Sequence, residues 1–339
     1  MYVTGGDDIP NNSLYRYGAG LKPPSLTVHP AEKGRIISVH KAPFGTVVEL
    51  ESSALHTPTI STQIVLFDQQ KKIGFTFHIH KEDVLSKEAA YFAFPFAVAS
   101  PTFRYDTQTA WVNPAKDTLP GGSREWFAAT RWASVEGADL SATVFPIDAP
   151  LVAFGDIVRG NWPEQFEPKS GAIYSWVVNN YWNTNFVPEQ GGDMTFRYVV
   201  TSAKRLDPAD LTRKGWSEVT PLEAGQAGPA RSQGSLPASS ASLLTINNPD
   251  ISVVTWKLAE DGQGTILRLQ ELAGTDAKIH ISSPFFSIHE AWSCNLLEDN
   301  QAKLTPSDGG LDVELGRFGI VTVRLITDPK KGAAQAALR

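Results

Sequence analysis

One cysteine in 339 residues, Cys294, excludes an internal disulfide and any zinc site built from cysteine thiolates. A buried, inert thiol is the expected state. No apolar run reaches the length needed to span a bilayer, so no membrane partner is expected. A basic excess is missing as well. The net charge of −6 gives no electrostatic reason to expect nucleic acid or an acidic surface as partner. The first twenty residues, Met1 to Gly20, lack the basic start and apolar stretch of a secretory signal. The expectation that the chain begins within a longer ancestral protein leaves its compartment unassigned. There is no Gly-rich phosphate loop, no nucleophile elbow and no His-Glu-x-x-His helix. Before Leu206 almost no stretch keeps a helical period.

What is present is strand. Hydrophobic residues at 42% and charged residues at 19% suit a soluble globular chain, and the length suits two domains. β-Branched and aromatic runs predict strands over Arg35–His40, Thr46–Glu51, Ile60–Phe67, Ile73–His80 and Tyr91–Val98. More follow at Trp126–Glu136, Ser141–Pro146, Ala172–Val178 and Met194–Ser202. The last places Phe196, Tyr198 and Val200 on one face. Nine Trp, eight Tyr and 17 Phe are an excess that stacks on sugars or, as the default reading, fills sandwich cores.

Asp207-Pro208 reads as an N-cap followed by an N1 proline, so a short helix is predicted there, with Leu211 and Trp216 toward the sheet. Glu223 to Ser242, rich in Gly, Ala, Pro and Ser, reads as a linker or long loop. Strands resume at Leu243–Ile246, Ser252–Leu258, Thr265–Glu271, Lys278–Ser282 and Gly319–Ile326. The expected organisation is a large β-sandwich over 1–205, a helix and linker over 206–242, a small β-sandwich over 243–327 and a tail over 328–339. The fold class is all-β.

Three groups of residues carry candidate chemistry. His78-Ile79-His80 places two imidazoles on one strand face, with Asp83 as a possible third metal ligand. An exposed His pair at a strand end is the simpler reading. Glu125 and Glu189 are candidate carboxylates for sugar chemistry, which needs two such groups about 5 to 9.5 Å apart. Solvated or paired acids at strand starts are the simpler reading there too. The densest cluster is Asn179-Asn180-Tyr181-Trp182-Asn183-Thr184-Asn185-Phe186, followed by Glu189-Gln190-Gly191-Gly192. Amides bond hydroxyl pairs, indole and phenol rings stack, and glycines allow close approach. A self-packed loop whose Asn side chains satisfy its own backbone is an equal reading.

Four stretches in order resemble glycoside hydrolase family 38, the α-mannosidases. They are Lys87-Glu88-Ala89-Ala90-Tyr91-Phe92-Ala93-Phe94-Pro95-Phe96, Ala149-Pro150-Leu151-Val152-Ala153-Phe154-Gly155-Asp156, Asn180 to Phe186 with Gln190-Gly191-Gly192, and Glu260-Asp261-Gly262 with Ile266-Leu267-Arg268-Leu269 and Glu271. The resemblance runs from about residue 35 to 325. It implies a galactose-mutarotase-like supersandwich followed by a smaller β-sandwich, the domains that follow the catalytic region in that family. The family's Asp nucleophile and its zinc lie on an N-terminal barrel that no part of this sequence resembles. No catalytic residue and no cofactor is therefore expected in this chain, zinc being confined to the missing domain.

The implied role is a non-catalytic region that supports a catalytic barrel, in cis or in trans, and edges its sugar site. The resemblance places Asn183, Asn185, Gln190 and Gly191 at the edge of a sugar site, and Trp182 and Glu189 join them as expected contacts to an α-mannoside or other glycan. Two departures stand out. Animal members carry an Asp-Arg pair ahead of the Gln-Gly-Gly, whereas here no Arg falls between Asn179 and Gln190. Arg317-Phe318-Gly319 stands where Pro-Phe-Glu is usual. The alternatives are a free-standing carbohydrate-binding protein, or a mutarotase-like enzyme using carboxylates on the sandwich face.

Overall fold

The computed structural model describes residues 1–5, 25–158, 165–181, 187–226 and 240–330. The chain divides into two units, Met1–Asp207 with Lys214–Pro221, and Pro208–Arg213 with Leu222–Arg339.

The strands of the first unit begin with β1 (Tyr2–Gly5), β2 (Leu26–His29), β3 (Arg35–Ala42), β4 (Gly45–Ala54) and β5 (Thr57–Phe67). Then come β6 (Lys72–Lys81), β7 (Glu88–Phe96), β8 (Thr102–Asp106), β9 (Trp111–Val112) and β10 (Phe127–Ala128). The unit closes with β11 (Ala133–Glu136), β12 (Ser141–Pro146), β13 (Leu151–Phe154), β14 (Gly171–Asn179) and β15 (Gly192–Ala203). One sheet has six strands in the order β10-β13-β14-β7-β1-β2, and the other nine in the order β3-β4-β5-β6-β15-β12-β11-β8-β9. The sheets pack face to face. Phe94, Val152, Phe154 and Ile173 of the first share a core with Phe103, Val135, Val144 and Tyr198 of the second. The Phe77 and Phe92 rings stack across the layers at 4.2 Å. As the alternation of β15 requires, Phe196, Tyr198 and Val200 all face this core.

The segment expected as one strand over Trp126–Glu136 is instead two short strands, β10 and β11. A side chain breaks it. Asp106 Oδ1 accepts the backbone N–H groups of Arg131 (2.7 Å) and Trp132 (2.8 Å), diverting donors that a continuous ladder would use. The Arg131 guanidinium closes the corner, with Nε donating to Asp106 Oδ2 at 2.5 Å.

Helix α1 (Pro208–Val219) starts at the predicted proline. Gly215 is required where the helix meets the sandwich, because a Cβ there would fall 2.8 Å from Arg131 Cβ. The Arg131 guanidinium lies over the half-exposed Trp216 ring at 4.6 Å. Leu211 is buried, as its apolar side chain requires. Most of the linker expected over Glu223–Ser242 falls outside the described residues, as does 331–339.

The second unit holds β16 (Thr245–Ile246), β17 (Ile251–Leu258), β18 (Thr265–Glu271) and β19 (Ala277–Ser282). It ends with β20 (Phe286–Cys294), β21 (Asn300–Leu304), β22 (Leu311–Leu315) and β23 (Ile320–Pro329). Sheets β16-β19-β22 and β17-β18-β23-β20-β21 enclose Leu267, Leu269, Ile279, Ile281, Leu311 and Val323. Cys294 is a free, buried thiol. Two motifs of this unit are structural. Asp261 receives Arg324 Nη1 at 2.7 Å, with Gly262 in the left-handed region at φ +74° to complete the turn. Fully buried Glu271 accepts backbone N–H groups from Ala273, Gly274, Thr275 and Phe318.

The fold is thus all-β, a large supersandwich followed by a smaller sandwich.

Candidate functional site

The polar-aromatic cluster leaves the six-stranded sheet at Asn179, the last residue of β14, and the chain enters the nine-stranded sheet at Gly192, the first of β15. Trp182, Asn183 and Asn185 lie outside the described residues. Both flanks are described. Asn179 Oδ1 accepts the Tyr181 N–H at 3.0 Å, an Asx turn that bends the chain off the strand. The Asn179 N–H in turn donates to Gln190 Oε1 at 2.9 Å, tying the two flanks together.

The six-stranded sheet irregularity beside this loop is a β-bulge between Trp176 and Val178, where β14 pairs with β7. Such a bulge re-aims the side chains around it. Trp176 stacks on Tyr91 at 5.9 Å and donates its indole N–H to Val178 O at 2.7 Å. A cavity of about 330 Å³ opens here, with Leu151, Trp176, Val178, Asn179, Glu189 and Gln190 among its lining residues. It has an apolar floor and an amide and carboxylate rim. Glu189 and Gln190 are exposed, as is Gly191. Glu125 is buried and does not line the cavity, so the structure does not bring the two sequence-picked carboxylates together in it.

The loop rests on residues to which the sequence reading gave a different role. A Cβ on Gly191 would come within 1.7 Å of Asp83 Oδ1, so the aspartate lies against the glycine backbone. Asp83 is therefore committed to this loop rather than to the His pair. Asn180 donates its backbone N–H to Glu88 O (2.9 Å) and Nδ2 to Val84 O (2.8 Å), while its buried Oδ1 has no partner among the described residues.

Beneath this bed lies a buried ion pair. Lys81 Nζ and Glu88 Oε1 are 2.7 Å apart, both side chains fully shielded, in an ionic contact rather than an aligned hydrogen bond. Glu88 Oε2 meets His56 Nδ1 at 2.7 Å, and Lys81 Nζ donates to Glu82 O at 2.7 Å. Tyr2 shares a very short hydroxyl contact with Thr57, and burial pushes its own phenol up to about 12. Nothing in the run His80-Lys81-Glu82-Asp83 marks one charge as internal. Only the pairing of Lys81 with Gly192, and of Thr4 with Glu88, turns these side chains inward.

His78 and His80 do share one exposed face of β6, yet their ring partners lie across the ladder. His78 Nδ1 is 2.8 Å from Thr195 Oγ1 and His80 Nδ1 is 2.7 Å from Asp193 Oδ1. Among the described residues no group of three or more His, Cys, Asp or Glu is placed to hold a metal ion. A catalytic zinc takes three protein ligands, so these residues do not fit one.

The architecture defines an all-β region of two sandwiches, with a loop-rimmed cavity at one edge of the larger. Residues 250–323 match the family model of the glycosyl hydrolases family 38 C-terminal beta sandwich domain. Nearly all of the chain takes the fold of part of two family 38 structures. It is similar to an α-mannosidase from Enterococcus faecalis V583, with a TM-score of 0.64 and 16% identity, over 96% of this chain and 38% of that one. It is also similar to a glycosyl hydrolase family 38 protein from Enterococcus faecalis, with a TM-score of 0.63 and 15% identity, over 96% and 40%. At such identities the likeness is one of fold. This chain spans about two fifths of the length of those structures. No curated protein matches it.

Proposed function

We propose that this chain is a non-catalytic β-region of an α-mannosidase-like glycoside hydrolase, supporting a catalytic barrel in cis or in trans and edging its sugar site. The observation that carries the reading is the coverage. Nearly all of this chain, 96%, takes the fold of about two fifths of an α-mannosidase chain, and residues 250–323 match a domain defined as C-terminal. The cavity beside Gln190 supports the second half. Its apolar floor suits a sugar's C–H face, while Glu189 and the amide of Gln190 suit hydroxyl groups. Because Gln190 Oε1 is held by the Asn179 N–H, the amide offers its NH2 side to a ligand. Trp182, Asn183, Asn185 and Gly191 complete the proposed contacts. Glu189 is the one carboxylate among the described lining residues, half of the pair that glycoside hydrolysis uses.

Calorimetric titration of the purified chain with mannose and α-mannobiose, beside an aryl-mannoside turnover assay, tests this. Binding without turnover, weakened in Gln190→Ala and Glu189→Ala, is the expected result. Turnover by the pure chain, abolished by a carboxylate substitution within it, would sink the non-catalytic reading. Absence of binding would leave the supporting role and remove the sugar-edging one.

A further inference from the structure

The pleat of β6 sends His78 and His80 to the face opposite Ile79, which is buried while both imidazoles are exposed. Two residues apart on a strand, their Cα atoms are about 6.6 Å from each other. That separation lets two imidazole rings converge on one ion, each with a metal–nitrogen bond of roughly 2.0 to 2.1 Å.

Each ring is also held from behind at Nδ1 by the residue directly opposite on β15, His80 by Asp193 and His78 by Thr195. A carboxylate only accepts, so Nδ1 of His80 carries the proton and Nε2 presents its lone pair outward. The Thr195 hydroxyl can accept from His78 Nδ1 in the same way, which leaves Nε2 of the second ring as the free ligand atom. Metal-bound histidines are held in this way, the outer partner setting both tautomer and ring direction.

We infer that His78 and His80 form a two-imidazole chelate for a late first-row divalent cation, with Cu2+ and Ni2+ the fitting probes. No third ligand comes from Asp83, which lies against Gly191. The remaining coordination positions take water or a donor from outside the chain. This surface chelate is a different thing from a closed structural or three-ligand catalytic centre. It stands independently of the sugar reading, since none of its four residues lines the cavity.

The test titrates the full chain, freed of any polyhistidine tag, with Cu2+ and with Ni2+ by calorimetry. Paramagnetic resonance of the Cu2+ form runs in parallel. One ion per chain with nitrogen couplings is expected, displaced on acidification because protons compete for the ring nitrogens. His78→Ala and His80→Ala should each weaken binding by about tenfold or more, and Asp193→Asn by about tenfold through the outer partner alone. His40→Ala and His289→Ala, at exposed histidines elsewhere, should change nothing. Matched melting temperatures establish that the variants are folded. No saturable binding by the native chain, or unchanged affinity in His78→Ala/His80→Ala, overturns the inference.

Discussion

The Lys81 ammonium lies 2.7 Å from Glu88 Oε1 with neither side chain reaching solvent, and Lys81 pairs across the ladder with Gly192, the residue after Gln190 and Gly191. Removing one partner of such a pair leaves an uncompensated buried charge. Lys81→Met should therefore cost about 3 to 5 kcal/mol in urea unfolding, and Glu88→Leu a similar amount. The double variant Lys81→Met/Glu88→Leu should recover most of that loss, since two apolar side chains need no compensation. Additive losses in the double variant would mean that the pair is not coupled as described.

Gly191 has room for hydrogen only. Gly191→Ala drives its new methyl into the Asp83 carboxylate, whose side chain is exposed and able to swing away. Global stability should fall by less than about 1 kcal/mol, as for most surface changes. Glycan affinity at the cavity should fall more clearly, because Asp83 and the loop move together. Adding Asp83→Ala should restore part of that affinity, and a double-mutant cycle of the two measures the coupling.

Alkaline titration should destabilise the first unit through its buried phenols. Burial pushes Tyr2 up to about 12, whereas the unfolded phenol ionises at the ordinary value of 10.0. Between those values the unfolded chain sheds a proton that the folded chain keeps. The stabilising contribution is whole below pH 10 and is lost as pH rises toward 12. Tyr198 is raised by burial in the same direction. Tyr2→Phe should be less stable near neutrality by about 1 kcal/mol, for the lost Thr57 bond, yet decline less steeply with alkali. Urea midpoints measured across this range for both proteins check the crossing trends.

Glu271 gathers four backbone N–H groups around one buried carboxylate. Glu271→Ala should cost about 3 kcal/mol or more, because several donors lose their acceptor at once. Glu271→Gln should also be poorly tolerated, since its NH2 would face donors. Hydrogen exchange at Gly274 and Phe318 should accelerate ahead of the rest of the second unit.

Much of the strand pattern was legible because period-two alternation needs no knowledge of partners. Ser141–Pro146 and Thr265–Glu271 match the expected bounds, and α1 begins at the proline that followed its cap. Runs such as Phe286–Cys294 and Leu311–Leu315 were not picked out, as charged and polar residues interrupt them. Trp126–Glu136 was read as one strand because propensity contains no trace of a distant carboxylate. Asp106, twenty-five positions before Arg131, captures the two N–H groups that would have continued the ladder.

The candidate loop was visible as a dense run of Asn, aromatic and Gly residues, yet its supports were not. Asp83 stood as a possible third metal ligand for His78 and His80, with an exposed His pair as the simpler reading. The structure aims His80 at Asp193 and Asp83 at Gly191, which are adjacent pairings only once β6 and β15 are in register.

The amino-acid order alone determined that the chain is built of strands, that a helix follows Asp207 and that a polar-aromatic loop precedes Met194. These follow from local sterics and the alternation of side chains, which act within a few residues. Tertiary structure alone decided which charges are buried, which carboxylate breaks a strand and which two flanks close the cavity. Those depend on contacts between residues distant in the chain, such as Tyr2 with Thr57 and Asn180 with Val84, and register brings them together only when the sheets assemble.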